Sequence, residues 1–218
     1  MIVRPLFRSL SRPLFRPLSG LVSAITKVLI DLSESAGSFY SLGTDFVAAG
    51  DYSIEQYIYY TGDLIRLSGN INNGGSRVFV TSGYVFWAAD ASGTSVQSAN
   101  DVVPINKFSL IKVERIGSVG KIYVNGTLVL TATVPTGSAT VNTFGNQNNT
   151  ISGGLISDPK LTDLATPANS LEFKLDQLTD NTETNNGVTL TYQNIGTGRS
   201  FRETYTLIDD DYFGSERI

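Results

Sequence analysis

The sequence predicts an all-β chain, a sandwich or barrel of short strands joined by tight turns. Three observations carry that expectation. After Gly37 apolar residues recur at every second position in short runs, the period of a strand with one buried face. Gly, Asn and Ser cluster between those runs, with 21 Gly in 218 residues. No segment beyond residue 35 has helical periodicity, and many short strands at this spacing build a sandwich or barrel.

Residues 1–36 read as an N-terminal arm. Arg-Pro-Leu-Phe-Arg occurs at Arg4–Arg8 and again at Arg12–Arg16, followed by Pro17 and Leu18. Pro5, Pro13 and Pro17 each lack a donor N–H and push the preceding residue out of the helical region. The arm is therefore expected to be extended or kinked. Residues 21–32 are apolar enough for about three turns of helix. Leu6, Phe7, Leu14 and Phe15 need a surface to cover them, and Arg4, Arg8, Arg12 and Arg16 flank them, so these eight are expected to anchor the arm in a protein partner. The prolines and Lys27 interrupt the apolar run of a secretory leader, and the run is far short of the ~20 residues that span a bilayer.

The body, residues 37–218, opens with Tyr52, Ile54, Ile58 and Tyr60 alternating with Ser53, Glu55, Tyr57 and Tyr59. Further strands are expected at 64–68, 77–81, 83–89, 108–116, 121–124, 127–134, 140–144, 151–161, 170–176, 188–194 and 201–208, with 171–218 as a C-terminal β extension. Asn125-Gly126 separates two β-rich runs, and a type I′ turn needs positive φ at both central residues, which Asn and Gly tolerate. Such a turn pairs Val124 with Thr127, Tyr123 with Leu128 and Ile122 with Val129. Apolar residues then lie on both faces, so the period leaves the buried face open.

At this hairpin the chain resembles a known family. Phe108-Ser-Leu-Ile-Lys-Val-Glu-Arg115-Ile-Gly followed by Lys121-Ile-Tyr-Val-Asn-Gly126 resembles the laminin G-like signature. Phe144-Gly145 and the run from Ile151 through Asp158 to Leu161 resemble its closing strand, although Phe108 stands where Trp is usual and Pro159 interrupts that strand. The resemblance covers about residues 37–165. It implies a two-sheet antiparallel jelly-roll sandwich of the concanavalin A-like kind, with one concave sheet; calcium is that family's usual metal. The wider layout, an Arg/Pro arm, this body and a Thr/Asn-rich β tail, resembles structural proteins of tailed bacteriophages: head fibres, capsid decorations and tail fibres.

Composition narrows the chemistry. The chain has no His and no Cys, which removes the commonest general base, the thiol nucleophile and most transition-metal ligand sets. Residues 1–30 carry five basic residues and no acid, whereas residues 31–218 carry the other 11 basic residues and all 20 acidic ones. The acidic body would repel a phosphate backbone, so no nucleic-acid partner is expected, and no membrane partner either.

A glycoside hydrolase needs two carboxylates flanking the scissile bond. Glu172 and Asp176 are the best same-strand pair, but Lys174 lies between them and would hold both ionised. Asp209-Asp210-Asp211 reads as a solvated turn. Asp90, Asp101 and Asp158 are calcium ligands by type only, and no metal or cofactor is assigned. Gly117–Gly120 and Asn73–Gly75 lack the strand–loop–helix setting of a phosphate cradle. Rings on the solvent side of a sheet stack on sugar faces, which nominates Tyr57, Tyr59 and Trp87 for glycan binding.

The leading expectation is a non-enzymatic virion structural protein of a bacteriophage. It would be a jelly-roll domain held to other virion proteins by its arm, a homo-oligomer, and a contributor to host attachment through a cell-surface polysaccharide. The alternative is a glycan-binding adhesin or receptor-binding lectin domain. A polysaccharide hydrolase is third.

Overall fold

A computed structural model describes residues 25–31, 38–70, 75–145, 154–174, 182–194 and 202–207. The anchoring residues Arg4 to Arg16, Asp176 and the Asp209–Asp211 run lie outside them.

The described chain contains sixteen strands and one short 3₁₀ turn, Pro167–Asn169. They are β1 Ile25–Asp31, β2 Ser38–Ala48, β3 Tyr52–Tyr60, β4 Ile65–Gly69, β5 Arg77–Thr81, β6 Tyr84–Ala88, β7 Ser95–Gln97 and β8 Lys107–Ile116. Then follow β9 Val119–Val124, β10 Thr127–Thr133, β11 Ala139–Gly145, β12 Gly154–Asp163, β13 Leu171–Glu172, β14 Thr182–Asn185, β15 Val188–Asn194 and β16 Arg202–Leu207.

They form two antiparallel sheets. The first runs β10-β9-β8-β3-β12-β1-β16, with β13 also on β12. The second runs β14-β15-β2-β11-β4-β5-β6-β7. Alternate residues of both sheets meet in one core, including Tyr52, Ile54, Ile58, Val113 and Ile122 from the first and Phe46, Leu67, Val80, Trp87 and Phe144 from the second. Each fully buried large side chain contributes roughly 1.5–3 kcal/mol of transfer free energy. The molecule is a two-sheet antiparallel jelly-roll sandwich.

Tight turns set the registers. Asn125 (φ 52°) and Gly126 (φ 76°) form the expected turn, and Ser82-Gly83 and Asn186-Gly187 repeat the same pair of positive φ angles. Val124 pairs with Thr127 and Tyr123 with Leu128, as expected, but a bulge at Val129 then sets Ile122 against Leu130. Ile122 and Val124 thereby face the core, while Lys121 and Tyr123 face outward.

Two expectations are corrected. The stretch read as capable of helix contains strand β1, which lies between β12 and β16. Its β-branched Ile25, Thr26, Val28 and Ile30 suit a strand, and two waiting sheet partners outweigh weak helical periodicity. Strands β2, β7 and β14 were not expected from the pattern.

Arg115, at the end of β8, is 1% exposed. Its guanidinium donates to the carbonyls of Gly50, Pro135 and Gly137 and lies 4.7 Å over the Tyr52 ring.

Candidate functional site

The outer face of the first sheet is a lattice of paired charges. Register places Leu128, Tyr123, Lys112, Glu55, Lys160 and Glu172 in one row across six strands. Lys112 bonds Glu114 at 2.9 Å and Lys160 bonds Glu172 at 3.2 Å, so these charges largely cancel. Lys112 also lies 5.6 Å from the Tyr123 ring centre. Glu55, Leu110, Lys112, Tyr123 and Gly126 line a shallow depression of about 280 Å³.

Two of the nominated rings belong to this face. Tyr57 lies opposite Leu110 and is half-buried. Tyr59 lies opposite Phe108, packs edge-on against it at 5.0 Å and is only 5% exposed. A ring so covered presents no face to a sugar, which corrects the expectation for Tyr59. Trp87 is corrected more firmly: it is fully buried, edge-on to Tyr52 at 6.2 Å. Gly120 gives it room, since a Cβ there would come within 2.7 Å of Trp87 Cζ3.

The outer face of the second sheet differs in chemistry. In the hairpins β4-β5-β6-β7, Ile65, Leu67, Val78, Val80, Val85 and Trp87 enter the core. The alternate residues therefore face outward. Register aligns Arg66, Phe79, Phe86 and Gln97 in one row, with Thr81 opposite Tyr84 in the next. Phe79 and Phe86 are stacked, 4.2 Å apart with their planes 14° from parallel. Arg77 lies 6.0 Å from the Phe86 ring centre. Arg66, Arg77, Phe79, Tyr84 and Phe86 are all half-buried, so each keeps some surface for a ligand. Burial, then the charge of Arg77, lowers the proton affinity of Arg66, although a guanidinium stays charged in water.

The sequence reading missed this face because Phe79 and Phe86 sit among valines and Trp87, apolar on both sides. One signal was available: Arg77 and Thr81 flank Phe79 at i ± 2 and mark its side as the outer one.

Of the nominated carboxylate pair, Glu172 is described and Asp176 lies outside the described residues. Glu172 is tied to Lys160, while the Lys174 backbone N–H donates to Glu183 at 2.8 Å. Asp90 accepts N–H bonds from Ser92 at 2.8 Å and Gly137 at 3.0 Å. Its burial raises the carboxyl pKa, but these bonds and the Arg115 charge outweigh that and hold it below the ordinary value. Among the described residues no three metal-ligating side chains cluster, so Asp90, Asp101 and Asp158 are not brought together. No described helix is long and apolar enough to cross a membrane.

The fold defines a class, the two-sheet jelly-roll sandwiches. Within it the chain is similar to a Bacteroides ovatus protein whose name proposes carbohydrate binding. The identity is 13%, the TM-score 0.55, and the match covers 84% of this chain and 61% of that one. The chain is also similar to a heptameric SAP-like pentraxin of Limulus polyphemus (11% identity, TM-score 0.49, 84% of this chain and 95% of that one). A third likeness is to domains LG4-5 of the mouse laminin α1 chain (14% identity, TM-score 0.48, 75% and 48%). At these identities the likeness is one of fold. No family model matches the sequence, and no curated protein does.

Proposed function

We propose that the chain is a non-catalytic glycan-binding module whose ligand lies on the outer face of β4–β7. The observation that carries this is the stacked Phe79–Phe86 pair, half-exposed on a sheet surface beside Tyr84. The two rings cover one face of each other, and their outer faces and edges remain as apolar surface for the C–H face of a pyranose, while Tyr84 supplies a hydroxyl for polar contact. The carbohydrate-binding name of the Bacteroides ovatus neighbour supports the same reading. Stacking with a few hydrogen bonds amounts to about 4–6 kcal/mol net, hence millimolar to tens of micromolar affinity per site.

The test is a glycan array followed by titration calorimetry on the best ligand. Phe86→Ala is expected to weaken binding at least tenfold while the chain still unfolds in one cooperative transition. Loss in Tyr57→Ala with none in Phe86→Ala would move the site to the first sheet. Release of reducing ends would overturn the non-catalytic half.

A second reading rests on the Arg-Pro-Leu-Phe-Arg repeat. It has the module displayed on a bacteriophage particle, held by Arg4 to Arg16, where many copies would raise apparent affinity by about 10²-fold or more. Retention of a repeat-deleted chain on purified particles would contradict it.

A further inference from the structure

We propose that the β4–β7 face selects acidic glycans, with Arg66 and Arg77 gripping a sugar carboxylate while Phe79 and Phe86 carry the ring. This rests on the glycan-binding reading above and names its substrate class.

Charge distribution is the first argument. Residues 31–218 have a net charge of −9, yet the strands β4, β5, β6 and β7 contain two arginines and not one acidic residue. Within these four strands the sign is thus opposite to that of the body, with Asp63 and Asp90 in the connections at their ends.

Geometry is the second argument. Arg66 lies directly across from Phe79, and Arg77 lies two residues from it on the same face. The two guanidinium charges are close enough to act on each other and are partly withdrawn from water. Like charges so placed repel, and the repulsion turns to gain when one anion sits between them. Arg77 Nε is buried with no hydrogen-bond partner among the described residues. A guanidinium is a planar fork matched to the two oxygens of a carboxylate, and charge-assisted pairs of this kind are about twice as strong as neutral ones. A uronic acid unites both halves: a pyranose face for the phenylalanines and a carboxylate on its rim for the arginines.

The experiment pairs uronic-acid oligosaccharides with their methyl esters, titrated against the full chain at low and high salt. The acid is expected to bind at least tenfold more tightly than its ester at low salt, with the ratio shrinking as salt rises. Arg77→Gln should reduce the ratio below threefold, and Arg77→Lys, keeping charge but losing the fork, should fall between. Phe86→Ala should weaken acid and ester alike. Lys112→Gln, on the opposite sheet, should leave the ratio as in the wild type. Melting curves of each variant show that the fold persists. Equal wild-type affinity for acid and ester, both lost in Phe86→Ala, would overturn acid selection and leave glycan binding standing. An acid preference unmoved by Arg66→Gln and Arg77→Gln would overturn the assignment to these residues. No binding of either form would overturn both readings.

Discussion

The Tyr52 hydroxyl donates to the Ala89 carbonyl at 2.6 Å and lies 3.3 Å from Ser76 Oγ, deep in the core. Burial above all pushes its pKa up from 10.0 to about 12. Because the folded value is the higher one, the stabilisation is whole below pH 10 and is lost as pH rises from 10 to about 12. Two pH units correspond to about 2–3 kcal/mol. Tyr52→Phe has nothing to ionise there, so its urea midpoint should fall less than the wild type's between pH 8 and 11.5. Equal losses would show that Tyr52 is not the group responsible. A second residue, Gly126, has φ 76° and open space around a built Cβ. The cost of Gly126→Val is therefore backbone strain alone, about 1–2 kcal/mol, read as a shift in denaturant midpoint. The neighbouring Asn125 does more than tolerate its turn: its side chain accepts the Leu110 N–H at 2.8 Å and extends the ladder. The turn was legible because Asn-Gly is demanded by the dihedrals themselves. That second bond was not, because nothing local says which backbone N–H lies beside Asn125.

At the scale of elements, β12 shows how a proline fits inside a sheet. Ser157 pairs with Tyr57 and Lys160 with Glu55, so Asp158 (φ 41°) and Pro159 bulge together opposite Gln56. Before the bulge the other edge of β12 is paired with β1, and after it with β13. The interruption at Pro159 was visible in sequence; the change of partner was not, because β1 and β13 lie more than a hundred residues apart. The same holds for β1 itself. Its partner β16 is remote, so local pattern alone pointed to helix. Deleting residues 1–31 strips a strand from β12 and the described partner from β16, so the melting temperature should fall by more than about 5 °C. An unchanged melting temperature would mean that β1 adds nothing to the sheet. The expectation of an anchoring arm thus stops short of Ile25.

For the whole molecule, Arg115 closes one end of the sandwich. The chain crosses between sheets from β2 to β3 and from β10 to β11, and the guanidinium holds carbonyls in both crossings, Gly50 in one and Pro135 and Gly137 in the other. Asp90 joins from the β6–β7 connection through the Gly137 N–H. Arg115→Met removes the charge-assisted hydrogen bonds to those carbonyls and should cost about 3 kcal/mol in a denaturant titration. Arg115→Lys should recover less than half, since an ammonium lacks the fork. The laminin G-like resemblance placed an arginine at the end of this strand. Its role as a clasp needed the fold, because Gly50 and Gly137 lie far from it in sequence. The aromatic face was hidden for a related reason: which side of β5 and β6 is outer depends on where the other sheet lies.

The pairing of β1 with β16 has a mechanical consequence. Ile25 lies opposite Leu207 and Ile30 opposite Arg202, so the chain enters and leaves this pair at the same end. Tension between residues 25 and 207 would open the pair like a zipper, one hydrogen bond at a time, at low force. Tension between Ile25 and the β4–β7 face instead passes along the chain from β1 to β2, which belongs to the second sheet, and crosses the β2–β11 and β11–β4 ladders, so several bonds share the load. A module tethered by its N-terminal side and pulled through a ligand on that face is therefore loaded along a stiffer path than one pulled between residues 25 and 207.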